Sequence, residues 1–334
     1  MSSLLLCTIA LVLIAEFVNG WTDAPNAIAT VVSTSVLSPR VAIFMAVIMN
    51  IFGTMYGTAV ATTIGTGFVD ASAITLKTLS AGMLGLILWG LIAAYKGLPI
   101  SKSHALVAGL AGAGLGSHGF DFAAGFQTLL WIGWLKVLIG LIFSTLIGFS
   151  IALFLANLIQ RYCSRSNSSR AKSTFNRLQM CSSMLMAFMH GSNDGQKFVG
   201  VLTITLVLGG ILPEFVVTPE VVLVCALVMG LGTSCGGWKI IKTVGKKISD
   251  LTSWQGFSAE LGASSAIYVA SHFGIPLSTT HTITTSVMGV GASRSFSAVR
   301  WDIVRKIVQA WAFTFLFCGL VSCLCSMIFF YAIP

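Results

Sequence analysis

The chain has 334 residues, of which 56% are hydrophobic and only 9% are charged, and its net charge is +9 at pH 7. Soluble domains carry about 25% charged residues, so a soluble fold of this length is excluded and we expect the protein to lie in a bilayer. The basic residues occur in loops, where they set membrane orientation, so the positive charge does not indicate a nucleic-acid-binding protein.

Apolar segments alternate with short loops along the chain. The first five segments are 3–38, 40–66, 79–95, 101–116 and 127–159. A basic stretch at 161–177 precedes five more, at 179–211, 219–240, 256–272, 279–292 and 302–332. We predict an all-α polytopic membrane protein with a first membrane repeat at 1–160, a basic cytoplasmic linker at 161–177 and a second membrane repeat at 178–334.

Loop charges predict how the two repeats are oriented, because cytoplasmic loops carry an excess of Lys and Arg. Counted from the linker, this rule gives each repeat three crossings and one re-entrant helical hairpin, at 79–116 and at 256–292. The arms of the second hairpin fall short of the roughly 20 residues that a crossing needs. An odd number of crossings inverts the second repeat relative to the first and places both termini outside the cytoplasm.

A matched pair of polar motifs interrupts the first apolar segment of each repeat. They read N-G-W-T-D-A-P-N-A at Asn19–Ala27 and G-S-N-D-G-Q-K at Gly191–Lys197. Pro25 disfavours helix at the residue before it, so we expect broken helices at membrane depth, where freed backbone groups must line a cavity or bind a ligand. Asp23 and Asp194 are therefore predicted to bind an ion or substrate, although capping of two half-helices would also explain them.

A second pair of motifs lies at the predicted hairpin tips. G-L-P-I-S-K-S-H begins at Gly97, and G-I-P-L-S-T-T-H begins at Gly274. In each, hydroxyl residues open a helix whose free N–H groups favour anions. Ordinary N-capping would explain one copy, but two copies at the same spacing indicate two helix ends that hold a small tetrahedral oxyanion. The predicted hydroxyl ligands are Ser101, Ser103, Ser278, Thr279 and Thr280.

Three charged residues in these regions are further candidates. Lys102 and Lys197 are single cations within the motifs, and each would either bind phosphate as a point charge or extend to a lipid headgroup. Glu260 is an acid inside an apolar segment, and the spacing of the repeats places Met83 at its counterpart. A carboxylate in the membrane is a functional candidate by default, so we predict that Glu260 takes part in ion coupling.

These motifs resemble those of the inorganic phosphate transporter (Pit) family, in its bacterial form. The family's duplicated G-A-N-D-x-A-N-A element is matched by Gly20–Ala27 and Gly191–Lys197, with Gln196 and Lys197 standing where the second copy has Ala and Asn. The resemblance implies symport of orthophosphate by inverted repeats. It also implies phosphate and cation binding at nine positions, which are Asp23, Asn26, Ser101, Ser103, Asn193, Asp194, Ser278, Thr279 and Thr280.

The combined prediction is a secondary active symporter in the cell membrane that imports inorganic phosphate with Na⁺ or H⁺ by alternating access. It is predicted not to be an enzyme and to use no cofactor. The predicted phosphate ligands are Ser101, Lys102, Ser103, Ser278, Thr279, Thr280, Asp23, Asp194 and Lys197. The predicted coupling-ion ligands are Asp23, Asn26, Asn193 and Asp194, which also form the Na⁺ site, and Glu260.

Several alternatives stay open at this point. The substrate is either free phosphate or a metal–phosphate complex, and a homo-oligomer is as compatible with the sequence as a monomer. A permease for another oxyanion such as sulfate, a passive anion channel, and an intramembrane enzyme with Asp23 and Asp194 as an acid pair are the rival functions.

Overall fold

The computed structural model describes residues 2–66, 74–163 and 168–332. Within those ranges the chain forms helices and loops and no β-strand. Four of the described helices are long and apolar enough to cross a membrane, and the number rises to six if each of two bent helix pairs is one span. The prediction of an all-α polytopic membrane protein is confirmed.

The helices follow the predicted apolar segments closely. The first eight are α1 (Ser3–Thr22), α2 (Ala24–Ser33), α3 (Pro39–Thr54), α4 (Ala59–Thr66), α5 (Leu76–Lys96), α6 (Lys102–Gly116), α7 (Phe122–Gln127) and α8 (Trp131–Cys163). The others are α9 (Ser168–His190), α10 (Gln196–Leu208), α11 (Pro219–Ser234), α12 (Trp238–Lys242), α13 (Ser253–His272), α14 (Thr279–Arg294) and α15 (Trp301–Ala332). The predicted linker at 161–177 covers the end of α8 and the start of α9, with 164–167 outside the described residues.

The expected helix breaks are smaller than predicted. At the first motif only Asp23 departs from helical geometry, with φ −110° and ψ −38°, and its N–H still donates to Asn19 O at 2.8 Å. At the second motif, Gly191–Gly195 forms a π turn between α9 and α10. A π turn widens a helix without ending it and often occurs at functional sites. Each polar motif is thus a local distortion inside a continuing helix.

The large bends lie elsewhere, at matching places in the two repeats. The axes of α3 and α4 differ by 71°, and α11 meets α12 and the following turn at 67°. Gly57 and Gly237, between the members of each pair, adopt positive φ of 81° and 107°, a region that favours glycine. Neither bend was predicted from the sequence.

The two predicted hairpins have the same construction. A capping box formed by Thr75 starts α5, and one formed by Thr252 starts α13. Gly97 and Gly274 follow these helices with φ of 67° and 65° and turn the chain toward the next helix. Helix α5 has 21 residues and α13 has 20. Of the two, only α5 is both long and apolar enough to cross a bilayer. That both hairpins are re-entrant stays a prediction.

The last helix of each repeat packs on the hairpin of the other repeat. Helix α8 contacts α13 and α14, whereas α15 contacts α5 and α6. The first helices of the two repeats are exchanged in the same way. Helix α1 of the first repeat packs on α11 of the second, and α9 of the second repeat packs on α3 of the first. Such an exchange is what two repeats related by a twofold axis would produce, and their inverted orientation in the membrane stays a prediction.

Two apolar cores flank the polar motifs. One core includes residues of α1, α5, α6 and α10. The other includes residues of α2, α9, α13 and α14. The chain therefore passes from the first core to the second at Asp23, and from the second back to the first at Gly191–Gly195. Both motifs lie where the two cores meet.

We expect Gly112→Ala and Gly289→Ala to lower the free energy of unfolding by about 1–3 kcal/mol, because overpacking forces backbone shifts. A Cβ on Gly112 would meet the backbone of Gly319 in α15, and one on Gly289 would meet the backbone of Phe149 in α8. The melting temperature of the detergent-purified protein measures the effect. Gly319→Ala is the control, because its Cβ would lie 3.7 Å from Ala108 O. Equal melting temperatures for Gly112→Ala and Gly319→Ala would contradict the prediction.

Candidate functional site

Ser101 and Ser278 cap the helices that follow the two hairpin tips. Ser101 Oγ accepts a hydrogen bond from the backbone N–H of His104 at 3.2 Å, and Ser278 Oγ accepts one from that of His281 at the same distance. Both serines are buried. These two hydroxyls therefore act as N-caps, as one of the two alternatives predicted. The residues that follow them reach further into the centre of the molecule.

Asp23 lies at the centre of a buried cluster that joins both repeats. Its carboxylate accepts hydrogen bonds from the Thr280 hydroxyl and from Asn26 Nδ2, the latter at 2.6 Å. Asn26 Nδ2 also lies 3.1 Å from Thr280 Oγ1, which in turn is 3.2 Å from Ile100 O. This cluster thus joins a helix of the first repeat to the hairpin tip of the second repeat. The hairpin tip of the first repeat, at Ile100, lies next to it.

Asp194 forms the equivalent cluster on the second repeat. Its Oδ1 is bonded to the ammonium of Lys197, and its Oδ2 accepts a hydrogen bond from Thr279 Oγ1 at 2.5 Å. The Lys197 ammonium also donates to Ser103 Oγ at 2.5 Å and to Leu277 O at 2.7 Å. Hydroxyls and a carbonyl from both hairpin tips therefore converge on one buried ion pair.

His190 lies close to both acids and was missed by the sequence analysis. Its Nε2 lies 3.2 Å from Asp194 Oδ2, and its Nδ1 lies 2.8 Å from Asn50 Oδ1. Three ligand atoms, one each from Asp23, His190 and Asp194, lie within 4.8 Å of one another. They are close enough for one metal ion to contact all three. The spacing of four residues between His190 and Asp194 was a usable signal, because such residues share a helix face.

Three predicted site residues make no hydrogen bond to the two acids among the described residues. Asn193 Nδ2 donates to Ser271 Oγ at 2.8 Å and lies 3.4 Å from Ile275 O, so it holds the second hairpin tip. Glu260 lies in a separate buried cluster with hydroxyls of Thr30, at 2.5 Å, and of Ser182. Lys102 is 1% exposed, and among the described residues its Nζ has no hydrogen-bond partner.

Glu16 is a further buried acid that the sequence analysis did not select. It accepts a hydrogen bond from Asn19 Nδ2 at 2.9 Å, and its other oxygen has no partner among the described residues. Glu16 and Asn19 precede Asp23 by two turns and one turn of α1, so these three side chains follow one face of that helix. This spacing was visible in the sequence.

Comparison with known proteins identifies relatives across almost the whole chain. Residues 19–322 match the phosphate transporter family. A probable low-affinity inorganic phosphate transporter of Rhizobium meliloti (strain 1021) is 42% identical over 324 residues, covering 96% of this chain and 95% of that protein. A protein of Bacillus subtilis (strain 168) with the same description is 39% identical over 320 residues, covering 94% of each chain.

A solved structure has the same fold. It is described as the sodium-dependent phosphate transporter, and it superimposes with a TM-score of 0.81 over 98% of this chain and 99% of that one. The identity is 22%, so the likeness concerns the fold. The relatives are named as transporters, which are not enzymes. The resemblance to phosphate transporters, noted from the motifs, is confirmed.

We expect Asp194→Asn to lower the melting temperature more than Asp23→Asn does. The first change leaves the buried Lys197 ammonium without its counter-charge, which costs about 3–5 kcal/mol, whereas Asp23 is bonded by neutral groups. Thermal unfolding of the purified protein in detergent measures the difference. Asp302→Asn, at an exposed position on α15, controls for the loss of one negative charge. Equal losses for the two buried positions would overturn this account.

Proposed function

The chain belongs to the phosphate transporter family, and we propose that it imports inorganic phosphate together with a cation, Na⁺ or H⁺, by alternating access. The observation that carries the proposal is the position of two buried carboxylates, Asp23 and Asp194, against the hairpin tips that present the anion-binding groups. Carboxylates repel phosphate, and this repulsion is strong where water is excluded. A cation bound between them removes the repulsion, so anion and cation binding are coupled.

The phosphate ligands in this proposal come from both hairpin tips. Ser103, Thr279 and Thr280 bring hydroxyl groups to the centre, and Ser101 and Ser278 cap the two helix N-termini that point there. Lys102 adds a buried ammonium without a protein partner among the described residues, which suits a point-charge contact to phosphate. Helix N-termini and an ammonium together favour a small oxyanion.

The coupling cation has ligands of its own in this proposal. Sodium would use the Asp23 carboxylate and Asn26 Oδ1, an amide oxygen without a partner among the described residues. A proton would be carried by a buried acid, and Glu260 is one whose neighbours are neutral. A second candidate substrate is a metal–phosphate complex, which is favoured by the converging ligand atoms of Asp23, His190 and Asp194.

Alternating access would follow from the way the repeats are joined. Each polar motif lies between the two apolar cores, and each hairpin is covered by the last helix of the other repeat. Small rotations of one core against the other would open the site to one side at a time. The chain termini face the outside in this arrangement.

Uptake of labelled phosphate into proteoliposomes tests the function. We expect phosphate to accumulate above its external concentration when an inward sodium gradient or an inward proton gradient is imposed, each applied alone. Sulfate should fail to compete, and uptake with and without Mg²⁺ separates metal–phosphate from free phosphate. Equilibration without accumulation would instead identify a passive channel, and competition by sulfate would identify a broader oxyanion permease.

We expect Asp23→Asn and Asp194→Asn each to lower phosphate uptake by at least about tenfold, because the first removes a charge-assisted contact to the coupling cation and the second removes the counter-charge of the Lys197 ammonium. Initial rates per mole of reconstituted protein are the measurement. Ser234→Ala is the matched control, since Ser234 is exposed and bonds only to its own helix at Leu231 O. Uptake near the wild-type rate in both aspartate variants would refute this site.

A further inference from the structure

The two buried lysines of the site differ in the hydrogen bonding of their ammonium groups. Lys102 and Lys197 are both 1% exposed. The ammonium of Lys102 has no hydrogen-bond partner among the described residues. The ammonium of Lys197 donates to Asp194 Oδ1, Ser103 Oγ and Leu277 O. An ammonium has three N–H groups, so Lys197 has none left for a phosphate oxygen.

The three oxygens around Lys197 are those of a cation site. They are a carboxylate, a hydroxyl and a main-chain carbonyl, and they come from the π turn, the start of α6 and the tip before α14. Many transporters built from internal repeats coordinate Na⁺ near the middle of the membrane with carbonyl oxygens of irregular backbone, as Leu277 O would be here. An ammonium and a sodium ion carry the same charge, and the Lys197 ammonium fills this position.

The first repeat has a neutral group at the equivalent position. Asn26 follows Asp23 by three residues, just as Lys197 follows Asp194. Asn26 Nδ2 donates to Asp23 Oδ1 and approaches the hydroxyl of Thr280, while Lys197 binds Asp194 and the hydroxyl of Ser103. Each residue thus bridges the acid of its own repeat and a hydroxyl of the opposite hairpin, and only one of the two is charged.

We propose that the Lys197 ammonium is a resident cation that fills the cation position of the second repeat, so that no sodium ion binds there during transport. This inference rests on the proposed function. The charge that neutralises Asp194 is then part of the chain and cannot be released with the substrate. Any sodium that couples transport is restricted to the first repeat, at Asp23 and Asn26.

The test removes the resident cation and asks whether sodium replaces it. Lys197→Asn introduces the residue of the first repeat, and Lys242→Asn removes one positive charge at an exposed position as the control. Labelled phosphate uptake is measured in proteoliposomes with sodium or with choline as the external cation. We expect the variant to lose uptake in choline and to recover it in sodium, with a larger sodium stimulation than in the wild type or in Lys242→Asn.

A second measurement does not depend on transport. Melting temperatures in detergent are compared in sodium chloride and choline chloride, where a ligand that binds the folded state raises stability. We expect a sodium-dependent rise in Lys197→Asn that exceeds the rise in the wild type. If Lys197→Asn transports phosphate, an equal sodium stimulation of uptake in both proteins would overturn the inference. If it does not transport, an equal sodium-dependent rise in melting temperature would overturn it. Absence of phosphate uptake by the wild type under every gradient would instead refute the proposed function.

Discussion

Two carboxylates at the centre of a membrane protein impose the constraint on which this structure depends. Moving an ionised carboxylate out of water costs several kcal/mol or more, and the loss is recovered only through close partners. Asp23 obtains one such partner from the other repeat, the hydroxyl of Thr280, and Asp194 obtains one from the hairpin of its own repeat, the hydroxyl of Thr279. The hairpins must therefore reach the centre, and the long helices must pass beside them.

The capping and turn features of the two repeats match, whereas the side chains at the centre differ in charge. Capping boxes, positive-φ glycines and serine caps recur in both hairpins, and they fix where each tip lies. The side chains that fill the framework differ in charge, as Asn26 and Lys197 do. A phosphate ion bound between the repeats, as proposed, would therefore meet different chemistry on its two sides. The framework contributes the geometry, and these few side chains contribute the charge.

The sequence was enough to predict the features that repeat. The motifs at Asn19–Ala27 and Gly274–His281 stand out as polar residues in apolar surroundings, and the structure places both at the centre. The π turn could not be foreseen, because it depends on the close approach of α3, where the backbone of Asn50 leaves no room for a Cβ on Gly191. A sequence motif indicates that a helix departs from regular geometry, but the form of that departure depends on the helices packed against it.

The partners of individual side chains were beyond the reach of the sequence for a related reason. Lys197 is held by a main-chain carbonyl, that of Leu277, and every residue has such a carbonyl. The spacing of His190 and Asp194 was visible in the sequence, but the nearness of His190 to Asp23 depends on the first repeat bringing that acid close. Charge and spacing identified the candidates, whereas the fold determined which of them meet.

The exchange of terminal helices between the repeats has a consequence for biosynthesis. Ribosomes deliver the chain from its N-terminus, so the first hairpin, α5 and α6, enters the membrane long before α15 exists. Until then the face of α6 that receives α15 at Gly112 meets lipid or a chaperone, and Trp311 Nε1 is not yet there to bond Pro99 O. The first repeat therefore lacks part of its packing until α15 inserts, and the polar cluster around Asp23 also waits for Thr280 of the second hairpin.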